Sequence, residues 1–341
     1  MRIPIILLTL SVVVFLIALV IPNRGNESGI TSVARFTNEP LGANVDSKPD
    51  FAARLAEPIE LTDQQISDFV ESRNANAASL IAAWDITGDE KWLRRAAEMH
   101  LDSPRVAVAM LLHHGASSEN SGQWIDSLIR NDPDNAAGNL FAARAAMASG
   151  DHESAIAELT IMETANRTDF YTDSSRSMLL AAYRHAGHRG VAGEFFANMS
   201  VKLPSGEMIG LNRDLADAMT VAHLSGSEDE VLQLGEAGMA AASQTVCNDG
   251  TGYVLTQLIG ISMQRKILHQ LNEYDLVPGG PELVLNRLAD LDQEVASIEQ
   301  VSTQGNDLVP SMTEVEFGKY LRRFRAEGEL GAMRWLIEQR N

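Results

Sequence analysis

The sequence predicts an all-α protein: an α-solenoid of stacked helix pairs with a C-terminal helical cap, preceded by one transmembrane helix. Three observations carry this. Residues 3–21, IPIILLTLSVVVFLIALVI, hold no charged side chain and as a helix would span about 28 Å, close to the hydrocarbon thickness of a bilayer. Apolar residues in the body recur at three- and four-residue spacing, the period of one helix face, and no sustained two-residue alternation marks a strand. Gly115, Gly150, Gly187 and Gly226 lie 35, 37 and 39 residues apart, as turns do in a chain of helix–turn–helix units. Four regions follow: an anchor at 1–21, a tether at 22–57, helical repeats at 58–242, and a C-terminal helical region at 243–341 that packs on or caps the repeats.

Taking the elements in order, Pro4 fits the anchor because the first helical turn needs no intrahelical donor. A cleaved signal peptide, the rival reading, wants a shorter apolar core and small residues before its cut. This segment instead ends Ala18-Leu19-Val20-Ile21-Pro22, which favours an uncleaved anchor. The short amino-terminal side is expected in the cytoplasm and the body outside it, in the periplasm if the source is bacterial. Pro22, Pro40 and Pro49 leave the tether without a period; it is read as a coil of about 33 Å mean reach or as an extended arm packed on the body. Thr62 and Gln65 form a capping box ahead of Ile66, Phe69 and Val70. A helix through Leu80, Ile81 and Trp84 then meets Gly88-Asp89, and Trp92, Leu93, Ala96 and Ala97 begin the return.

The stretch from Pro133 to Arg167 is the most legible unit. Asp134 or Asn135 can cap a helix carrying Leu140, Phe141, Ala142, Ala145 and Ala146, Gly150-Asp151 ends it, and Ala155, Ile156, Leu159 and Met162 mark a second helix. Two helices this short need neighbours to bury their apolar faces. Beyond the repeats, 251–272 reads as a longer apolar helix. Pro281 is taken as a first-turn proline before a seam of Val284, Leu288, Leu291, Val295 and Ile298. So short a seam packs on its own domain or pairs two copies; nothing else indicates a homo-oligomer. Thr313 and Glu316 form a second capping box, ahead of Phe317, Tyr320, Leu321 and Phe324 and then Met333, Leu336 and Ile337.

The recurrent unit resembles the tetratricopeptide (TPR) repeat, a pair of antiparallel helices in about 34 residues. From Ala136 the matches are Ala143, Gly150, Ala155 and Leu159. From Asp173 they are Leu179, Leu180, Tyr183, Gly187, Ala192, Phe196 and Pro204. A unit from Asp102 keeps Ala109, Leu112, Ile125 and Pro133. One from Asn212 keeps Met219, Gly226 and Val231 but places Gly235 and Gly238 where the family has bulk. The spacing drifts beyond 34, so the resemblance is TPR-like and covers roughly residues 74–242.

Composition narrows the function. A formal net charge of −19 argues against a nucleic-acid surface and against adhesion to anionic lipids. The single Cys247 excludes an internal disulfide. His185 and His188 stand three apart, but without further ligands they do not make a metal site, and no metal or cofactor is expected. Asn131 to Asn135 lacks the ligand spacing of a calcium loop. No nucleophile-elbow, zinc-protease or phosphate-loop motif is present, so no catalytic residue is assigned and the chain is read as a non-enzyme.

The resemblance implies that the first helix of each pair lines a concave face. Its inner positions then include His113, Arg144, Arg184, His185, Arg213 and His223, a set free of carboxylates. These six are the candidate partner-binding residues, suited to an acidic segment or a free carboxy terminus. The function expected is a membrane-tethered scaffold or adaptor of the cell envelope that binds a protein or extended peptide. The alternative is an accessory or catalytic envelope enzyme with a site near Cys247.

Overall fold

The computed structural model describes residue 55 and residues 58–165, 167–248 and 252–340. The expected anchor at 3–21 lies outside these, as does the tether apart from Leu55. Among the described residues the chain forms fourteen α-helices and no strand, and no helix is long and apolar enough to cross a membrane.

Helix α1 (Asp63–Ser72) opens the body. The Gln65 N–H donates to Thr62 Oγ1 at 3.2 Å and the Thr62 N–H to Gln65 Oε1 at 2.9 Å, the reciprocal capping box read in the sequence. Five helix pairs follow. They are α2 (Ala77–Thr87) with α3 (Glu90–Met99), α4 (Pro104–His114) with α5 (Ser121–Asn131), α6 (Ala137–Ser149) with α7 (His152–Thr164), α8 (Thr172–His185) with α9 (Val191–Met199), and α10 (Ser205–Ser225) with α11 (Glu228–Asn248). Gly88, Gly150 and Gly226 close the first helices of three pairs in the left-handed conformation, where a Cβ would be penalised. Three long helices finish the chain: α12 (Val254–Leu268), α13 (Val284–Leu308) and α14 (Glu314–Arg340), the last bent at Gly328.

The pairs do not stack strictly in chain order. Successive first helices α2 and α4 are neighbours, but α6 packs on α10 and α7 on α11, while α8 returns to α2 and α1. The connection from α7 to α8 explains the route. It runs back along the α5–α6 corner, where the Ala136 N–H donates to Arg167 O at 2.9 Å and the Asp169 N–H to Asn135 Oδ1 at 2.8 Å. Tyr171 and Arg167 both reach Asp132. Burial works against the charge of Asp132, but hydrogen bonds from Tyr171 and Asn135 and the Arg167 guanidinium hold its carboxyl below the ordinary value. Asn135, read as a candidate cap, is buried; its Oδ1 accepts from the Ala137 N–H and ties the α6 start to this returning loop. The chain is thereby delivered to the far side of α2 instead of onto α6.

Two further differences from the sequence reading have simple causes. Pro281 does not open a helix: α13 starts at Val284, and Pro281 sits in a turn closed by the Val277 N–H on Glu282 O (2.7 Å). Gly235 and Gly238, unexpected in a TPR-like unit, lie where α12 crosses α11. A Cβ on Gly238 would stand 2.6 Å from Ile267 Cδ1. The seam of α13 packs inward, with Val284, Leu291 and Ile298 buried against the body.

One large core runs from α1 to α13 and takes in Leu330 of α14. A second, smaller one gathers Leu55 with Met312, Phe317, Tyr320, Leu321, Phe324 and Leu336 around α14. The bend of α14 is tied to the start of α12: the Glu329 N–H donates to Gly252 O at 2.7 Å, and the Val254 N–H to Glu329 Oε2 at 2.9 Å. Glu329 keeps part of its surface exposed, yet burial of its carboxyl raises the pKa above the ordinary value, against the opposing Val254 bond.

Candidate partner-binding surface

A concavity with a predicted residue, His113, in its wall lies on the first two pairs. Helix α3, EKWLRRAAEM, separates its faces: Trp92, Leu93 and Ala96 turn inward, and Glu90, Arg94 and Glu98 stay exposed. Helix α4 buries Val106 to Ala109 and Leu111, leaving Met110, His113 and His114 on its outer side. Trp124 of α5 closes one end. The result is a cleft of about 400 Å³ with a floor of Leu93, Ala97, Met110 and Trp124 and a rim of Glu90, Arg94, Glu98, Leu101, His113 and His114. Its floor is apolar and its rim carries both signs of charge, so it suits an amphipathic segment better than a compact ion.

The rim is held by contacts on its inner side. His113 Nε2 lies 3.2 Å from a Glu90 oxygen, and its ring meets Trp84 edge-on at 5.6 Å and His114 at 4.5 Å. On Trp84 the Lys202 ammonium, brought over from the loop just after the α8–α9 pair, sits 4.7 Å from the ring centre. Next along α2, Asp85 has one carboxyl oxygen buried without a hydrogen-bond partner. Burial pushes its pKa up to about 8, with Lys202 pulling the other way.

The six residues expected to bind a partner divide among four places. Arg144 is buried beneath α10, paired with Asp214 and 4.0 Å from Glu207. Gly210 makes room for it, since a Cβ there would lie 2.5 Å from its Nε. Arg213 is exposed and joins the same Asp214 at 3.1 Å. Arg184 and His185 are exposed at the end of α8, the His185 ring 5.9 Å from Phe69. His223 stands near the tip of α10, 3.8 Å from Glu228. Only His113 borders the cleft. Arg144 and Arg213 thus meet on one carboxylate, while Arg184 belongs to a helix packed on α1, α2 and α9.

Sequence reasoning missed Leu93, Arg94 and Trp124 as cleft residues. The signal was present in the amphipathic run 90–99, read only as the return of a pair. Cys247 lies in the last turn of α11, and its side chain falls outside what the structure describes. Among the described residues no three His, Cys, Asp or Glu side chains gather to hold a metal ion. No family model matches this chain, and neither curated proteins nor solved structures give a match.

Proposed function

We propose that this chain is a membrane-tethered scaffold whose TPR-like helix pairs bind a protein or extended peptide, with residues 3–21 as the anchor and the body on the extracytoplasmic side. The observation that carries the binding role is the α3–α4 cleft, an apolar trough walled by Glu90, Arg94, Glu98 and His113. Apolar side chains of a partner segment would fill the floor, and its charged residues would meet the rim, where they fix register more than affinity. The net charge of −19 keeps copies apart and leaves the trough free for a different protein.

The test is photo-crosslinking in intact membranes with the full chain. A photoreactive phenylalanine at position 110 should give a discrete adduct with one partner, and Ala97→Arg, which fills the half-buried floor, should reduce that adduct at least about tenfold. Circular dichroism checks that the variant keeps its helices. An adduct of equal yield with Ala97→Arg, or none at position 110 alongside one at position 184, moves the binding surface away from the cleft.

A further inference from the structure

Helix α14 has two contrasting sides in its first half. Phe317, Tyr320, Leu321 and Phe324 are buried. Val315, Lys319, Arg322, Arg323 and Ala326 recur at i, i+4, i+7, i+8 and i+11, which is one stripe of a helix, and all five are exposed. Val315, an apolar residue, is 69% exposed at one end of the stripe. The segment from Gly318 to Ala326, GKYLRRFRA, carries four basic residues and no acid in a chain of net charge −19. Arg325 is committed to Glu194 and Arg323 to Glu327 on its own helix. Lys319 and Arg322 have no ion pair within 4 Å among the described residues, although the Glu316 carboxyl, lowered first by its Thr313 hydrogen bonds, also feels the Lys319 charge. The α8–α9 turn adjoins this end of α14, with Val191 against Gly318 and Gly190 beside the exposed Glu314 carboxylate, which borders the stripe.

The second observation concerns chain continuity. Leu55, 34 positions beyond the end of the expected anchor, is buried in the small core built on this same helix. Among the described residues ahead of α1, Leu55 packs in the α14 core, whereas Ile59 and Leu61 pack on the larger one.

We infer that the outer face of α14, centred on Val315, Lys319 and Arg322, rests on the anionic headgroups of the membrane that holds the chain's own N-terminal segment. The inference rests on the reading of residues 3–21 as an anchor. The overall negative charge does not defeat it. At physiological ionic strength the screening length is about 8 Å, so acids on the far side of the body are screened and the local basic stripe governs. Each Lys or Arg near an anionic surface shifts the balance roughly fivefold. That is weak for free recruitment, but it suffices to orient a body already tethered. Oriented so, α14 is the membrane-facing side, and the α3–α4 cleft belongs to a different part of the molecule.

The experiment uses the full chain in a Cys247→Ser background, reconstituted in vesicles of phosphatidylcholine alone or with phosphatidylglycerol. A fluorophore is attached through Val315→Cys, or through Leu224→Cys at the tip of α10, and quenched by brominated lipid. Only the position-315 probe should be quenched, more strongly with phosphatidylglycerol. About 1 M salt, where the screening length is ~3 Å, should reverse the effect. Lys319→Glu with Arg322→Glu should lower the docked-to-undocked ratio by roughly 30-fold or more; Lys319→Gln with Arg322→Gln serves if the reversal disturbs folding. Equal quenching in both lipids, equal quenching at 224, or indifference to the substitutions overturns the inference. Flotation with neutral vesicles reads the anchor separately. A chain that floats yet shows no lipid dependence loses the α14 surface alone, and a chain that does not float loses both.

Discussion

Asp85 follows Trp84 in α2, and its partly buried carboxyl is where a single residue weighs most visibly against stability. Its pKa stands at about 8 in the folded protein, against about 3.9 in an unfolded chain. Between those values the unfolded chain has released the proton and the folded chain has kept it. Ionisation then favours unfolding, so this group makes stability fall as pH rises from about 4 to about 8. Asp85→Asn should therefore be stabilising, by about 1–3 kcal/mol near pH 7, with the gain vanishing near pH 4. Thermal melts of both proteins at several pH values read this directly, and a constant gap across the range would place the carboxyl in water. None of this was legible in the sequence, where Asp85 looks like any helix-surface acid. Its neighbour Lys202 lies in the loop just after the fourth pair and arrives only because α8 returns to α2.

At the scale of elements the sequence reading did best where one helix speaks for itself. The Thr62–Gln65 and Thr313–Glu316 capping boxes are formed as read, and Gly115, Gly150, Gly187 and Gly226 all take positive φ. Local chemistry decides those features. Gly238 shows the other case. Its lack of a side chain made it a misfit in a repeat, yet it is the point where Ile267 of α12 enters against α11 and Leu215 of α10. Gly238→Leu should overpack that crossing and cost about 1–3 kcal/mol. Gly122→Ala, exposed near the start of α5 with nothing within 4 Å of the added carbon, should instead stabilise by about 0.4–1 kcal/mol. Urea denaturation of the pair is the check, and equal effects would contradict the crossing. The arginines make the same point: Arg144 was placed on an inner face by its position in a repeat, but Asp214 and Gly210, seventy residues on, decide its surroundings.

For the whole molecule the decisive fact is the return of α8 to α1 and α2. A linear array, in which each pair touches only its neighbours, unfolds piece by piece. Here contacts between residues about a hundred positions apart link the first pair to the fourth, and α6–α7 is joined to α10–α11 across the intervening pair. In a Trp335→Phe variant the remaining tryptophans, Trp84, Trp92 and Trp124, report only on α2, α3 and α5. Their fluorescence and the far-UV circular dichroism of all helices should trace the same urea transition. Separate midpoints would mean that the closure contributes little. No residue pattern announced this route, because the bonds that set it join Asn135 and Asp132 to Arg167, Asp169 and Tyr171 in a loop that looks like an ordinary connection.

The seat of Leu55 also has a consequence in time. Leu55 leaves the ribosome early, while its partners on and beside α14, from Met312 to Leu336, are among the last residues made. Roughly 260 residues separate it from the first of them, which at about 5–20 residues per second is a wait of about 13–50 s. Throughout that interval Leu55 has no α14 core to enter. A ribosome that stops before α14 leaves a product whose body lacks that attachment, so burial of Leu55 marks a chain that has been finished.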